Sequence, residues 1–157
     1  MKKTILIITL LCLTLMVWGQ NKNNVGAYYK NATECMPSEL DGSITLKVWG
    51  TGRNLMDATE QAKKNAVSET LFKGFIDCQV KALVLEVNAE EKYQYFFNAF
   101  FKDNGKYLDF ISMEDTRPFN RIKSRERKSE EVKYGFVVRV LRPELREYLI
   151  NEKILKP

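Results

Sequence analysis

Residues 44–67 have the sequence ITLKVWGTGRNLMDATEQAKKNAV, and this stretch decides the fold. Over residues 43–49, apolar side chains alternate with polar or aromatic ones, which predicts a strand with one buried face. The apolar members are Ile44, Leu46 and Val48. Asn54 is a suitable N-cap for a following helix, and Asp57 places negative charge at the positive end of that helix. We therefore predict a strand that leads directly into a helix, which Gly74 ends.

The predicted helix has one apolar face made largely of small side chains. Its members are Leu55, Ala58, Ala62, Ala66, Leu71 and Phe72. The opposite face is polar and carries Gln61, Lys63, Lys64, Ser68 and Glu69. Alanine at every fourth position allows a helix to lie unusually close to the layer that it covers. We therefore expect this helix to pack tightly against a sheet.

Gly50 and Gly52 stand between the strand and the helix, where many nucleotide-binding folds hold a phosphate. A dinucleotide-binding fingerprint needs a third glycine, and this chain has Leu55 at that position. A P-loop ends in Gly-Lys-Ser or Gly-Lys-Thr, whereas this turn ends in Arg53-Asn54-Leu55. We therefore predict that the two glycines provide positive φ and clearance for a tight turn, and that no nucleotide binds.

The remaining apolar patterns predict three further strands and two further helices. The strands cover residues 80–87, 106–112 and 131–141, and the helices begin at Asn88 and Pro143. The order of the elements is then β-α-β-α-β-β-α. Charged connectors and the loss of βα alternation towards the end of the chain indicate an α+β fold. We expect a largely antiparallel sheet of about four strands with helices packed on one face.

The helix that begins at Asn88 carries a row of aromatic side chains on one face. They are Tyr93, Phe96, Phe97, Phe100 and Phe101. Such a row is consistent with a ligand cradle or with a hydrophobic core, and we predict core. The last helix is expected to turn Leu145, Leu149 and Ile150 inwards.

The N-terminal residues predict export. Lys2 and Lys3 precede an apolar run over residues 5–18, and Gly19 supplies a small residue at a cleavage site. The run is short of the roughly 20 residues that a membrane-spanning helix needs. We therefore predict a signal peptide over residues 1–19 and a periplasmic or envelope-associated protein. An uncleaved anchor is the alternative.

Removal of this leader leaves about 138 residues, which is enough for one domain with a core and too few for two. Residues 20–41 are rich in Asn, Lys and turn-forming residues and predict an N-terminal arm or linker. Residues 42–157 are then a single α+β domain. The formal net charge falls from +5 to +3 when Lys2 and Lys3 leave, and this mild charge does not by itself imply a polyanionic partner.

The cysteines and the lack of histidine limit the chemistry. Cys35 and Cys78 form a pair that can bridge in an oxidising compartment, with two separate buried thiols as the alternative. Lipidation of Cys12 is poorly supported because bulky Leu11 precedes it. The chain has no histidine, which excludes Ser-His-Asp triads, Cys-His dyads and the usual catalytic zinc sites. We predict no metal and no cofactor.

A basic segment covers residues 117–128 and interleaves cations with Phe119 and Ile122. Its cations are Arg117, Arg121, Lys123, Arg125, Arg127 and Lys128. A solvated loop or a charged edge strand explains such a segment, and we take this as the prediction. Binding of lipid headgroups, capsule or extracellular DNA is the alternative.

Carboxylates allow a second alternative, a hydrolase of an envelope polymer. The available groups include Glu34, Glu86, Glu90, Glu91, Glu114 and Asp115. Two-carboxylate hydrolysis requires two of them at a fixed separation across a cleft. Such a site would join Glu86 or Glu114 to the arginines after Pro118.

Two segments together carry a resemblance to a known family. One is the stretch from Gly42 to Val67, and the other is residues 134–149, YGFVVRVLRPELREYL, a strand followed by a short helix. The pairing resembles small bacterial envelope lipoproteins of the LPP-twenty type, the N-terminal domain of the flagellar assembly protein FlgT, and exported proteins of Bacteroides-like bacteria. The resemblance implies a compact α+β domain that serves envelope assembly or interaction, and it carries no catalytic residue over.

The sequence therefore favours a non-enzymatic exported envelope protein that acts as a structural or interaction module. Its expected partner is an envelope protein, with an anionic polymer or membrane surface as the alternative. We expect a monomer or a weak homodimer.

Overall fold

A computed structural model describes residues 33–36, 40–113, 115–123 and 132–156, which lie in one compact unit. The predicted signal peptide and Cys12 fall outside the described residues, as does most of the predicted arm. The strands are β1 (Glu34–Cys35), β2 (Ile44–Gly52), β3 (Ile111–Ser112), β4 (Asn120–Lys123) and β5 (Val132–Val140). The helices are α1 (Leu55–Phe72), α2 (Ala89–Lys92), α3 (Gln94–Phe100) and α4 (Arg142–Asn151), with a 3₁₀ helix at Lys106–Phe110.

The five described strands form one antiparallel sheet in the order β1-β2-β5-β3, and β4 also pairs with β5. β2 and β5 pair along their whole length, from Ile44 opposite Val140 to Gly52 opposite Val132. This confirms the predicted α+β class and the antiparallel sheet. The short strand β1 lies in the segment predicted as an arm, and β4 lies in the basic segment; neither segment shows the alternation that marks β2.

The core lies between this sheet and α1. The buried residues of β2 are the predicted Ile44, Leu46 and Val48, and those of β5 are Phe136, Val138 and Val140. The helix buries Ala58, Ala62, Ala66, Val67, Thr70 and Leu71. The prediction for Leu55 is wrong, because its side chain is 42% exposed. Leu55 is the first residue of α1 and lies nearly one turn before Ala58, where the helix reaches β2.

The two glycines of the quoted stretch serve close packing. A Cβ atom at Gly50 would lie 1.8 Å from the carbonyl oxygen of Ala58, and one at Gly52 would lie 2.6 Å from the Ala58 nitrogen. The predicted clearance is therefore confirmed. The predicted positive φ is wrong, since both glycines belong to β2 and have ordinary strand backbone. The turn itself consists of Arg53 and Asn54.

Both ends of α1 are capped as predicted. The Asn54 side-chain oxygen accepts a hydrogen bond from the Asp57 backbone N–H at 2.8 Å. At the other end, Gly74 has φ +70°, and its N–H donates to the Glu69 carbonyl at 2.8 Å.

The predicted strand over residues 80–87 is wrong. Leu83 donates its backbone N–H to the carbonyl of Thr70 at 3.2 Å, and Val84 donates to Leu71 at 2.8 Å. These donors satisfy carbonyls in the last turn of α1, which have no partner within the helix. Backbone groups that a sheet would need are therefore used as a helix cap.

The second predicted helix is interrupted. Tyr93, with φ −109° and ψ 30°, separates α2 from α3, and the Asn88 side chain makes no cap hydrogen bond. The aromatic row is core, as predicted: Phe97 and Phe100 are buried, and the other members pack partly buried against the core. The rings of Phe100 and Phe110 lie 6.1 Å apart, centroid to centroid.

The prediction of a strand over residues 106–112 holds only for β3, because Lys106–Phe110 is a 3₁₀ helix. Its buried residues, Tyr107 and Phe110, are three positions apart, which is the repeat of a 3₁₀ helix rather than a strand. α4 is confirmed, with Pro143 in its first turn and Leu145 and Leu149 buried, whereas Ile150 is only half-buried.

Candidate functional site

A disulfide joins Cys35 of β1 to Cys78, with 6.0 Å between the two Cα atoms, and confirms the predicted bridge. Cys78 lies in a tight hairpin that is closed by two backbone hydrogen bonds between Phe75 and Val80, of 2.7 and 2.9 Å. Gln79 in this hairpin has φ +55°. The disulfide therefore ties the hairpin to the edge of the sheet.

An apolar groove of about 810 Å³ lies beside this hairpin. Its apolar lining comes from the end of α1, from the hairpin at residues 75–80 and from residues 81–87, which we call the capping segment. The lining residues are Phe72, Phe75, Ile76, Val80, Ala82, Val84, Leu85 and Val87. Lys73, Gln79, Lys81, Glu86 and Glu90 also border it. We call this feature the apolar groove.

Three aliphatic side chains of the apolar groove are largely in water. Ile76 is 94% exposed, Leu85 75% and Val87 97%. Among the described residues, the backbone N–H groups of Leu85 and Val87 donate no hydrogen bond. Clustered exposed apolar side chains beside free backbone donors are typical of a surface that another chain covers.

The charged rim of the apolar groove carries both signs. Glu86 binds Lys92 at 2.8 Å, and its hydrogen bond raises the pKa of that lysine. Lys73 lies 3.5 Å from Glu69 at the end of α1. Within the described part of the chain, Lys81 and Glu90 form no ion pair. They are therefore the rim charges open to a partner.

Beside the apolar groove, Arg142 spans from α4 to the capping segment. One terminal nitrogen, Nη2, donates to the carbonyl of Lys81 at 3.2 Å. Its Nε is buried and has no hydrogen-bond partner among the described residues. Burial lowers the pKa of Arg142, and the nearby Arg146 lowers it further. Arg142 therefore links α4 to Lys81, at the start of the segment that carries Leu85.

The basic segment is only partly described. Arg117 pairs with Asp115 at 2.9 Å, and its hydrogen bonds hold the pKa of Asp115 below the usual range. The guanidinium of Arg121 lies 5.5 Å from the ring centroid of Tyr134. Lys123 ends β4, an edge strand, which agrees with the prediction for this part. The other predicted cations, Arg125, Arg127 and Lys128, lie outside the described residues.

The sheet face opposite α1 carries an aromatic pair that the sequence did not reveal. Trp49 and Phe119 meet edge to face, with ring centroids 5.5 Å apart. Phe119 lies on Gly135, where a Cβ atom would come within 2.6 Å of the ring. Alternation along β2 places Trp49 on this face. Only the pairing of β2 with β5 brings Gly135 beneath the ring.

The carboxylates considered for hydrolysis are dispersed. Glu34 lies 3.6 Å from Lys47, and Asp115 and Glu86 are paired as described above. Glu90 and Glu91 stand exposed at the start of α2, and Glu114 lies outside the described residues. No group of three or more Cys, Asp or Glu side chains suited to a metal occurs in the part of the chain that the structure describes.

A polar cleft of about 380 Å³ lies between α1 and the turn at Asp103 and Asn104, just before the 3₁₀ helix. The buried Tyr107 hydroxyl donates to Glu60, and burial raises the pKa of Tyr107 well above its ordinary value. Lys64 pairs with Asp103 at 2.7 Å across the cleft. These contacts join α1 to the 3₁₀ helix and to the turn that precedes it.

Comparisons with protein-family models, with curated proteins and with solved structures find no match. The resemblance to envelope lipoproteins therefore stays a prediction. Among the described residues, every helix is too short or too polar to cross a bilayer.

Proposed function

We propose that this chain is a non-enzymatic exported envelope protein that binds a protein partner in the apolar groove. One observation carries the proposal: Ile76, Leu85 and Val87 are exposed around one groove, and the backbone N–H groups of Leu85 and Val87 have no acceptor among the described residues. Full burial of one such side chain contributes about 1.5–3 kcal/mol. Association itself costs free energy, so the groove favours a reversible complex of moderate affinity.

The partner that suits the groove is an extended segment with aliphatic side chains. The N–H groups of Leu85 and Val87, which have no acceptor among the described residues, can donate main-chain hydrogen bonds to a strand-like partner, while the apolar lining selects its side chains. Lys81 and Glu90 at the rim complement a segment that carries an acidic residue near one end and a basic residue near the other. Both features describe a protein segment rather than a small metabolite.

The non-enzymatic part of the proposal is supported by the residue inventory and the geometry. The sequence has no histidine, so acid–base and metal chemistries that depend on histidine are missing. The carboxylates nearest the apolar groove are Glu86, which is held by Lys92, and the exposed Glu90. An exposed carboxylate without a second one held across a cleft does not make a hydrolase site.

Export is supported by the predicted signal peptide and by the disulfide, since disulfides persist in oxidising compartments. Mass spectrometry of the N-terminus of the protein recovered from cells tests it. A mature chain that begins near Gln20 is expected. A chain that keeps residues 1–19 or begins at a lipidated Cys12 would contradict cleavage at Gly19.

Site-specific photo-crosslinking tests the partner. Benzoylphenylalanine is placed at Val87 in the apolar groove, and at the exposed Glu147 of α4 as the matched control. We expect one discrete protein adduct at Val87 in intact cells, which the additional change Leu85→Ser removes, and none at Glu147. Equal adducts at both positions, or none at Val87, would contradict the proposal.

A further inference from the structure

The sheet face that α1 does not cover forms a second surface, separate from the apolar groove. Paired residues in antiparallel strands lie on the same face. Trp49 is opposite Gly135, and Lys47 is opposite Val137. Ile122 of β4 is opposite Lys133 of β5. We call this surface the open face; Phe119 lies on it, above Gly135.

Three apolar side chains of the open face are partly exposed to solvent. Phe119 is 48% exposed, Val137 38% and Ile122 37%. The backbone N–H of Phe119 donates to the Gly135 carbonyl at 2.8 Å, and its ring leans on Trp49. The position of Phe119 is therefore set by the sheet itself rather than by a loose loop.

Cations surround this apolar centre. The ammonium of Lys133 lies 5.8 Å from the ring centroid of Trp49, and no carboxylate among the described residues pairs with it. Lys47 and Arg139 flank the centre, held by Glu34 at 3.6 Å and Asp41 at 2.6 Å. Among the described cations of the open face, Lys133 is therefore the one that an anionic partner can pair with. Burial lowers the pKa of Lys133, so a nearby anion would stabilise its charged form.

We propose that the open face docks on anionic phospholipid headgroups, with Phe119 and Ile122 entering the interface and Lys133 contacting phosphate. The charge of Lys133, which no carboxylate among the described residues pairs with, favours an anionic occupant. Phe119 and Trp49 offer rings on which a base can stack, but Ile122 and Val137 beside them do not, so the mixed aromatic and aliphatic surface favours a lipid interface over single-stranded nucleic acid. This inference does not depend on the apolar groove.

Vesicle binding tests the proposal on the chain recovered from the envelope, with its disulfide intact. The chain has two tryptophans, Trp18 and Trp49, so cleavage of the leader leaves Trp49 as a single reporter on the open face. If the leader is retained, Trp18→Phe gives the same reporter. Vesicles of equal parts phosphatidylglycerol and phosphatidylcholine should bind the chain and shift Trp49 emission to the blue. Phosphatidylcholine vesicles should do neither, and 500 mM NaCl should weaken binding.

Variants locate the contact. Phe119→Ser and Ile122→Ser should each lower the partition coefficient about tenfold, and Lys133→Gln about fivefold. The matched controls in the apolar groove, Leu85→Ser and Lys81→Gln, should leave it unchanged. Thermal unfolding of each variant establishes that it is folded, and Lys133→Gln remains a test if Phe119→Ser is not.

Several results would overturn the proposal: no binding to anionic vesicles, equal binding to both vesicle types, or binding that the open-face variants do not weaken. Free glycerol phosphate and a single-stranded DNA oligonucleotide separate the sources of phosphate. Binding of free glycerol phosphate in the absence of a bilayer would show that the ligand is a soluble anion and not a membrane. Binding of DNA through Phe119 and Lys133, without binding of vesicles, would lead to the same conclusion.

Discussion

Val84 donates its backbone N–H to the carbonyl of Leu71 at 2.8 Å, and this bond, with the weaker one from Leu83 to Thr70, links the end of α1 to the surface proposed for binding. The bond holds the capping segment against the helix instead of in the sheet. As a result, the next residues leave the core, and Leu85 and Val87 face water. The same contact thus caps a helix and presents an apolar groove.

Proline substitution compares the stabilising effect of the Val84 amide, which donates a hydrogen bond, with that of the Leu85 amide, which donates none among the described residues. Val84→Pro removes the donor to Leu71 and should lower the free energy of unfolding by about 2–3 kcal/mol. Leu85→Pro removes an N–H that has no acceptor among the described residues, and should cost less than about 1 kcal/mol. Urea denaturation measures both. Equal losses would show that the Val84 bond does not hold the segment.

Gly50→Ala should destabilise the fold strongly. The new Cβ would fall 1.8 Å from the Ala58 carbonyl oxygen, so α1 must move away from β2. Overpacking of this kind costs about 1–3 kcal/mol, and a backbone atom as the obstacle places the expected loss at the upper end. The neighbouring Thr51→Ala, at an exposed position, should change stability by less than about 0.5 kcal/mol. A Gly50→Ala protein as stable as the wild type would contradict the close helix–strand packing.

The disulfide should contribute substantially to stability. Cys35 and Cys78 are 43 residues apart, and closing a loop of that length in the unfolded chain corresponds to about 4 kcal/mol in the chain-entropy model. Cys35→Ser with Cys78→Ser should therefore lower the midpoint of urea unfolding, and added reductant should lower the wild type to the same value. An unchanged midpoint under both conditions would refute the bridge as a stabilising element.

Acid should destabilise the fold through exposed carboxylates whose pKa values are lowered. The Ser43 hydroxyl and backbone N–H hold the pKa of Asp41 below its ordinary value of 3.8, and Arg139 lowers it further. Because the folded pKa is the lower one, this stabilisation is present above pH 4 and is lost as pH falls through the folded value. Asp41→Asn should make the decline of stability below pH 4 shallower. If the free energy of unfolding declines equally below pH 4 in both proteins, Asp41 does not contribute to the acid sensitivity.

The sequence predicts those parts of the fold in which one short pattern determines the outcome. Alternation along residues 44–48 identifies β2, and the spacing of Ala58, Ala62 and Ala66 identifies the buried face of α1. Asn54 and Gly74 fix the ends of that helix. In each case the local preference and the tertiary packing agree, so the pattern alone is sufficient.

The errors arise where tertiary contacts override a local preference. Residues 80–87 have the composition of a strand, but the carbonyls of Thr70 and Leu71 take up their backbone donors. Both candidate surfaces likewise depend on tertiary contacts that the sequence pattern does not show. The apolar groove exists because that segment lies outside the sheet, and the open face exists because Gly135 pairs with Trp49 and admits Phe119. Neither pairing is visible in one sequence without the fold.

The most direct test of the interaction proposal is the affinity of the crosslinked partner for two matched variants, measured by titration calorimetry. Leu85→Ser removes an exposed leucine from the apolar groove, and Leu40→Ser removes a fully exposed leucine that does not line it. We predict that Leu85→Ser weakens binding about tenfold or more, while Leu40→Ser leaves the Kd unchanged. Equal Kd values for the wild type and both variants would show that the apolar groove is not where the partner binds.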